Sequence, residues 1–152
     1  MKDKKKPSKW VTALAAIVAL AAVYLAFDIG RGTYYNNLGT THMAEGEYDK
    51  AIACFTKALK ARRKSPEAYC NRGTAYSEKG EHDKAIVDLT KAIELDPKFA
   101  DAYYNRAVVY YQMKQYDKSR QDLDKAEELG YGIEADILDA LREVSPRDSA
   151  GD

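Results

Sequence analysis

Two histidines and two cysteines are the side chains here with the plainest capacity for chemistry. His42 and His82 are of the type that serves as a general base or metal ligand. Each, however, takes a place where the sequence pattern 34 residues away has tyrosine, at Tyr76 and Tyr48 respectively. Packing between helices therefore explains both histidines, and we predict no catalytic residue, no metal and no cofactor.

The two cysteines, Cys54 and Cys70, leave two alternatives open. An oxidising compartment would permit a disulfide between them, whereas cysteine-poor helical proteins seldom depend on one. We expect two free thiols.

Recognised catalytic and nucleotide-binding motifs are missing from the sequence. It has no phosphate-binding loop, paired-cysteine zinc spacing or Gly-x-Ser-x-Gly elbow, and Gly30-Arg31-Gly32 lacks the third glycine of a dinucleotide fingerprint. The 24 basic and 24 acidic residues cancel, and those between 32 and 133 alternate instead of forming a basic stripe. We predict a protein that is not an enzyme and binds neither nucleic acid nor a small-molecule substrate.

A 34-residue repeat organises most of the chain. The segment EGEYDKAI at 45–52 returns as KGEHDKAI at 79–86 and, in part, as KQYDKS at 114–119. This spacing predicts three units at 32–65, 66–99 and 100–133, each made of two amphipathic helices joined by a short turn. Asp49, Asp83 and Asp117 stand where each second helix should begin and are predicted to cap it.

The repeat resembles the tetratricopeptide repeat family, which places aromatic and small residues at set positions on the two helices of each unit. Arg72 and Arg106 depart from this pattern, which has leucine there. The resemblance implies an all-α fold, a right-handed α-solenoid with a concave groove lined by the first helices. We also predict a capping helix at 134–145 and a disordered tail at 146–152. The matching residues include Tyr35, Gly39, Phe55 and Ala58 in the first unit, Tyr69, Gly73, Leu89 and Ala92 in the second, and Tyr103, Ala107, Leu123 and Ala126 in the third.

The N-terminus predicts a membrane anchor. Residues 10–27 carry no charge, and about 18 residues at 1.5 Å rise span roughly 27 Å, close to the hydrocarbon thickness of a bilayer. We predict a transmembrane helix or uncleaved signal anchor at 10–27, followed by a linker at 28–31. Five lysines within 1–9 place the N-terminus in the cytoplasm and the repeats on the extracytoplasmic side, in the periplasm if the protein is bacterial. A cleaved signal peptide and an organelle anchor with cytosolic repeats are the alternatives.

An asparagine recurs at the sixth position of every unit, as Asn37, Asn71 and Asn105. An asparagine amide can donate to and accept from one peptide unit of an extended chain. Alternatively, these amides bond to neighbouring helices. We predict a peptide-binding groove lined by Asn36, Asn37, Thr40, Asn71, Thr74, Glu78, Asp101, Tyr104, Asn105, Val108, Tyr111 and Gln112.

The resemblance also bears on the ligand. Some family members hold the C-terminal carboxylate of heat-shock chaperones with two lysines, two asparagines and an arginine. The matching places here are Asn36, Thr40, Asn71, Asp101 and Asn105, of which only Asn71 agrees. We therefore predict a partner segment of neutral to basic character.

These features together predict a membrane-anchored adaptor or scaffold that binds an extended polypeptide. A structural or assembly subunit of a larger membrane complex is one alternative. An exported soluble repeat protein, released by signal cleavage, is the other.

Overall fold

The computed structural model describes residues 9–133, and every regular element in that range is an α-helix. The predicted capping helix at 134–145 and tail at 146–152 lie outside the described residues, as does nearly all of the basic segment 1–9. The helices are α1 (Lys9–Ala44), α2 (Tyr48–Ala61), α3 (Pro66–Glu78), α4 (His82–Leu95), α5 (Ala100–Gln112) and α6 (Tyr116–Glu128).

The helices pack as three successive hairpins. The C-terminal part of α1 pairs with α2, α3 pairs with α4, and α5 pairs with α6, while α2 and α4 each contact the first helix of the next hairpin. In addition, α3 contacts both α1 and α5. The first helices of the hairpins therefore form a continuous layer, and the all-α solenoid predicted from the repeat is confirmed.

The turns within the hairpins depend on backbone conformations with positive φ. Gly46 (φ 73°) and Gly80 (φ 75°) end the first two turns, where a residue without Cβ adopts this conformation freely. The third turn uses Lys114 at φ 59°, which an L side chain adopts only at some cost in free energy. The hydrogen bonds of the turn are the same in all three hairpins, as in Gln115 N–H to the Tyr110 carbonyl at 2.8 Å.

The predicted aspartate caps are wrong by two positions. The N-cap residues of α2, α4 and α6 are Glu47, Glu81 and Gln115, and none of these makes a side-chain capping bond. The aspartates lie inside the first turn instead, where their charge still favours the positive end of the helix dipole. By contrast, α3 has a side-chain cap, because Ser65 Oγ accepts a hydrogen bond from the Ala68 amide at 3.3 Å.

Close approach of the two helices defines the core of each hairpin. A Cβ built on Gly39 would lie 2.5 Å from Cε1 of Phe55, and one built on Gly73 would lie 2.8 Å from Cγ of Leu89. Phe55 and Leu89 are both completely buried. The large side chain of the second helix thus occupies the space that a side chain on the first helix would need.

The predicted linker at 28–31 is wrong, because these residues are helical and α1 continues without interruption from the apolar segment into the first hairpin. Asp28 and Arg31 pair at 3.5 Å with i,i+3 spacing, which supports the helix through this stretch. Gly30 weakens a helix by about 1 kcal/mol relative to alanine but does not end one that continues on both sides. At 1.5 Å per residue, the 36 residues of α1 extend roughly 54 Å.

Two arginine forks join neighbouring hairpins. Arg72 donates from Nε and Nη2 to the two carboxylate oxygens of Asp88 at 2.7 and 2.9 Å, and from Nη1 to Thr56 Oγ1 at 3.1 Å. Arg106 makes the same three bonds one unit later, to Asp122 at 2.7 and 2.8 Å and to Thr90 at 3.0 Å.

Each fork therefore links both helices of one hairpin to the second helix of the hairpin before it. The bonds to Asp88 raise the pKa of the Arg72 guanidinium. In the first of the three described hairpins, the two fork positions hold Leu38 and Cys54.

Replacing Asp88 with alanine should lower the free energy of unfolding by about 3 kcal/mol, because it strands a largely buried guanidinium. The double variant Arg72→Leu/Asp88→Ala removes both charges and should recover most of that loss, since leucine is the residue that the first unit carries at this place. Urea unfolding of the full chain in detergent, followed by circular dichroism, measures both. A double variant less stable than Asp88→Ala alone would contradict this account.

Candidate functional site: the groove of the first helices

The predicted groove residues share one layer of the structure. All of them lie on α1, α3 or α5, and none is fully buried. Because these three helices are neighbours and the side chains are at least partly exposed, the side chains form a surface that a ligand can reach. Their part in binding stays a prediction.

Two of the repeated asparagines bond to the preceding unit. Asn71 Nδ2 donates to Asn36 Oδ1 at 3.2 Å, and Asn105 Nδ2 donates to the Cys70 sulfur at 3.3 Å. Asn37, in the first unit, is exposed. The structure thus contains hydrogen bonds from asparagine amides to neighbouring helices, as the alternative to peptide binding predicted. An amide that donates one hydrogen bond nevertheless still offers a second N–H and a carbonyl oxygen to a ligand.

A third bond with the same 35-residue separation joins Ser77 Oγ to Gln112 Oε1 at 3.1 Å. With the two asparagine bonds, it ties the first helices together along the groove, from Asn36 to Gln112. Side chains held in this way lose less conformational freedom when a ligand binds, which favours affinity.

The aromatic part of the groove lies at its C-terminal end. Tyr104 stacks on Tyr131, with ring centroids 4.5 Å apart and planes inclined by 20°. Partial burial raises the pKa of Tyr131. Val108 and Tyr111 leave 37% and 45% of their surfaces exposed, so this end offers apolar area for contact. Sequence reasoning missed Tyr131, because it follows the last patterned helix and only the fold returns it to α5.

The groove carries acidic but no basic side chains. Of the predicted lining residues, Glu78 and Asp101 are the charged members, and both are exposed. A free carboxylate placed among them would meet negative charge. The geometry suits hydrogen bonding to a polypeptide backbone, with apolar contacts at one end.

Comparison with known families agrees with the repeat pattern. A TPR repeat model matches residues 39–80 and 73–114, and a tetratricopeptide repeat model matches residues 100–129. The chain belongs to the tetratricopeptide repeat family. Among proteins of curated function, none matches the sequence significantly.

Solved tetratricopeptide repeat structures resemble the fold closely. The Sgt2 domain of Aspergillus fumigatus is 28% identical, with a TM-score of 0.65 over 80% of this chain and 88% of that one. The TPR2B domain of yeast Sti1, in complex with pHsp70, is 26% identical, with a TM-score of 0.67 over 75% and 94%. The second TPR of Spaghetti (RPAP3), bound to the HSP90 peptide SRMEEVD, is 25% identical, with a TM-score of 0.63 over 65% and 92%.

His42 lies in a charged cluster at the first turn of the tetratricopeptide repeats, away from the groove residues. Its Nδ1 is 2.8 Å from Glu47 Oε2 and 3.4 Å from Glu45 Oε2, an arrangement that sequence reasoning did not foresee. Metal ligands converge in similar ways, but Lys50 Nζ already lies 2.6 Å from the other oxygen of Glu47. Lys50, with His42, holds the pKa of Glu47 below its ordinary value. The contact of His42 with Glu47 and the ion pair of Lys50 with Glu47 account for the cluster as a brace across the turn.

His82 occupies the equivalent of the Tyr48 position in the second tetratricopeptide repeat. Its ring nitrogen Nδ1 is buried and has no hydrogen-bond partner among residues 9–133. A histidine that fills a tyrosine slot keeps its polar edge in an apolar setting, which fits packing better than acid–base chemistry.

The cysteines of the tetratricopeptide repeats are free and buried. Cys70 lies under the groove beside Asn105, and burial raises the pKa of its thiol to about 11. Only the thiolate reacts with alkylating reagents, so a raised pKa delays reaction to higher pH.

The rate of iodoacetamide modification at Cys70 should therefore stay low at neutral pH and keep rising with pH up to about 11. An unperturbed thiol would reach its plateau near pH 9 to 10, because its pKa is about 8.5. Peptide mass spectrometry of the native full chain, sampled over a pH series, gives the rate. A plateau at Cys70 below pH 10 would show that burial does not control this thiol.

Proposed function

We propose that this protein is a membrane-anchored adaptor that binds an extended segment of a partner polypeptide in its tetratricopeptide groove. The observation that carries the proposal is the double use of α1. One end of this helix is apolar and unpaired, and the other end forms the first wall of the groove. Anchoring and binding are therefore properties of one continuous element.

The apolar end of α1 supports the anchor. The helix contains a window of mean hydropathy 2.2, long and apolar enough to cross a membrane, and none of that window is buried against the rest of the chain. Leu20 and Val23 leave 71% and 68% of their surfaces exposed. A row of such side chains is costly in water, whereas the acyl chains of a bilayer would cover it.

The groove supports a polypeptide ligand. Two of the solved relatives carry chaperone peptides by their own description, and the groove here keeps the layer of first helices on which such binding depends. The charge differs, since Asp101 stands where the resemblance would place a lysine. A segment of neutral to basic character fits this surface.

The acidic peptide SRMEEVD should therefore bind weakly or not at all, whereas an analogue with lysine in place of its two glutamates should bind more tightly and in a salt-dependent way. Removing the polar end of Asn71 with Asn71→Ala should weaken binding of the lysine analogue roughly tenfold, which corresponds to the loss of about one hydrogen bond to the peptide. Fluorescence anisotropy with labelled peptides gives both affinities.

Gln121→Ala is the matched control, because Gln121 is an exposed amide on the second helix of its hairpin. Its affinity should equal that of the unmodified protein. Tight binding of SRMEEVD would overturn the proposed charge preference. If Asn71→Ala binds the lysine analogue as tightly as the unmodified protein does, Asn71 has no part in peptide binding. That outcome would favour the alternative of a structural subunit that uses the convex face.

The orientation of the anchor is tested by cysteine labelling in intact cells. The variants Ser8→Cys and Ser149→Cys each add one cysteine, which reacts with an impermeant maleimide only on the outer side of the membrane, and the burial of Cys54 and Cys70 keeps the background low. With the N-terminus in the cytoplasm, position 149 alone should react, on a chain of full length. Reaction at position 8 alone would reverse the orientation. A fragment shorter by some 20 to 30 residues would identify a cleaved signal peptide.

A further inference from the structure

A cluster of positive charge lies where α2 ends and the chain turns toward α3. It consists of Lys57, Lys60, Arg62, Arg63 and Lys64, all of them exposed. Residues 51–66 contain no acidic side chain. We call this cluster the basic corner.

The fold brings the basic corner to the anchor. Because α2 runs back along α1, its C-terminal end returns to the point where α1 enters the first hairpin. A Cβ built on Gly32 would lie 2.7 Å from Cγ of Arg62, and Lys57 Nζ lies 5.4 Å from the Tyr35 ring centroid. Gly32 is five residues after Phe27, the last residue of the apolar run, or about 7.5 Å along a helix axis.

This distance places the basic corner at the level of lipid headgroups. The layer of headgroups on one side of a bilayer is roughly 5 to 8 Å thick, and charges within a Debye length of about 8 Å of a charged surface still interact with it. No flexible linker separates the apolar segment from the first hairpin, which carries the basic corner, because α1 is continuous through residues 28–31. With α1 across the bilayer as proposed, this continuous helix holds the corner against the bilayer surface.

The equivalent corners of the other two described hairpins, at the ends of α4 and α6, have no such excess of positive charge. At the end of α4, Lys91 pairs with Glu94 at 2.8 Å, and Asp96 follows. At the end of α6, Lys125 pairs with Glu128 at 2.9 Å. These two corners are further from the anchor along the stack, and their charges are balanced or acidic.

Aromatic side chains surround the same level of α1. Phe27 and Tyr34 each leave 62% of their surface exposed, and Arg31 Cζ lies 5.7 Å from the Phe27 ring centroid. Exposed aromatic rings beside a cation are typical of the zone between hydrocarbon and water. The nearby acids are engaged, Asp28 with Arg31 at 3.5 Å and Glu67 with Ser65 Oγ at 2.8 Å.

We infer that the basic corner binds the headgroups of anionic phospholipids in the leaflet from which α1 emerges. This inference rests on the proposed anchor. With α1 as one attachment and the corner as a second, the first hairpin is fixed in both height and rotation at the surface. The groove then presents one constant direction to a partner, which a single flexible tether does not provide.

The test compares how much phosphatidylglycerol and phosphatidylcholine the full-length protein retains after mild extraction from mixed vesicles with a neutral detergent. Lipid mass spectrometry gives the amounts. The protein should retain an excess of phosphatidylglycerol, and the variant Lys60→Gln/Arg63→Gln/Lys64→Gln should lose it. Each cation near an anionic surface strengthens binding to that surface roughly fivefold, so the removal of three cations should weaken it on the order of 100-fold. Inorganic phosphate in the buffer should not compete, because the site is on the lipid surface.

The matched control is Lys50→Gln/Lys84→Gln/Lys118→Gln, which removes three exposed lysines from the opposite edge of the hairpins. It should retain phosphatidylglycerol as the unmodified protein does. Equal loss in both variants, or no loss in the first, would overturn the inference. Resistance to alkaline carbonate extraction tests the anchor separately. If the protein resists carbonate extraction but shows no lipid preference, the proposed anchor stands and the inferred lipid binding by the basic corner is wrong. If carbonate extracts the protein, the proposed anchor is wrong.

Discussion

The close approach of two helices within each hairpin is the constraint on which the rest of the structure depends. Gly39 and Gly73 have no side chain, so Phe55 and Leu89 of the opposite helices fill the space above them. Interiors packed this tightly lose stability when a gap or an added methyl group is introduced without a compensating change, and in the third hairpin Ala107, buried with Leu123, takes the place of the glycine. The 34-residue period repeats this contact, and the stack of hairpins follows from repeating it.

The stack needs a second interaction, because packing within a hairpin does not set how one hairpin meets the next. The arginine forks supply it. Arg72 and Arg106 each bring an aspartate of their own hairpin and a threonine of the previous one to a single guanidinium, whose planar donors fit only one arrangement. An apolar contact at this place would permit sliding, whereas three directed hydrogen bonds do not. These bonds act together with apolar packing between the hairpins, such as that of Leu59 with Ala68, to space the first helices.

Continuity of α1 connects this architecture to the proposed function. An unbroken helix transmits position and rotation, unlike a glycine-rich linker, which would let the repeats move freely above a membrane. The groove begins on the same helix, at Asn36, nine residues after Phe27 at the end of the apolar run. Any partner held there would lie close to the bilayer surface. In the proposed function, the acidic groove would bind a polypeptide and the basic corner would bind the lipid headgroups.

The sequence by itself determined the number of units, the helix pairs, the family and the surface on which the groove residues lie, because these depend on a period and on residue size. The same pattern placed Asp49 as a cap and residues 28–31 as a linker, and both predictions failed. The preference of a single residue for the start or end of a helix contributes little free energy compared with the hydrogen bonds that continue the helix. The backbone hydrogen bonds therefore decide where a helix begins and ends.

Only the tertiary structure decided the contacts between residues far apart in the chain. The bond from Asn71 to Asn36 and the return of Arg62 to Gly32 require α2 and α3 to be folded back against α1, and the fork from Arg72 to Asp88 requires α4 to be folded back against α3. In sequence, Arg72 was merely a departure from leucine, although the pair Arg–Asp at a separation of 16 residues recurs one unit later. The basic corner shows the same limit. Its five cations lie about 30 residues from the apolar segment in the chain, and antiparallel packing of the first hairpin is the physical reason that they end beside it.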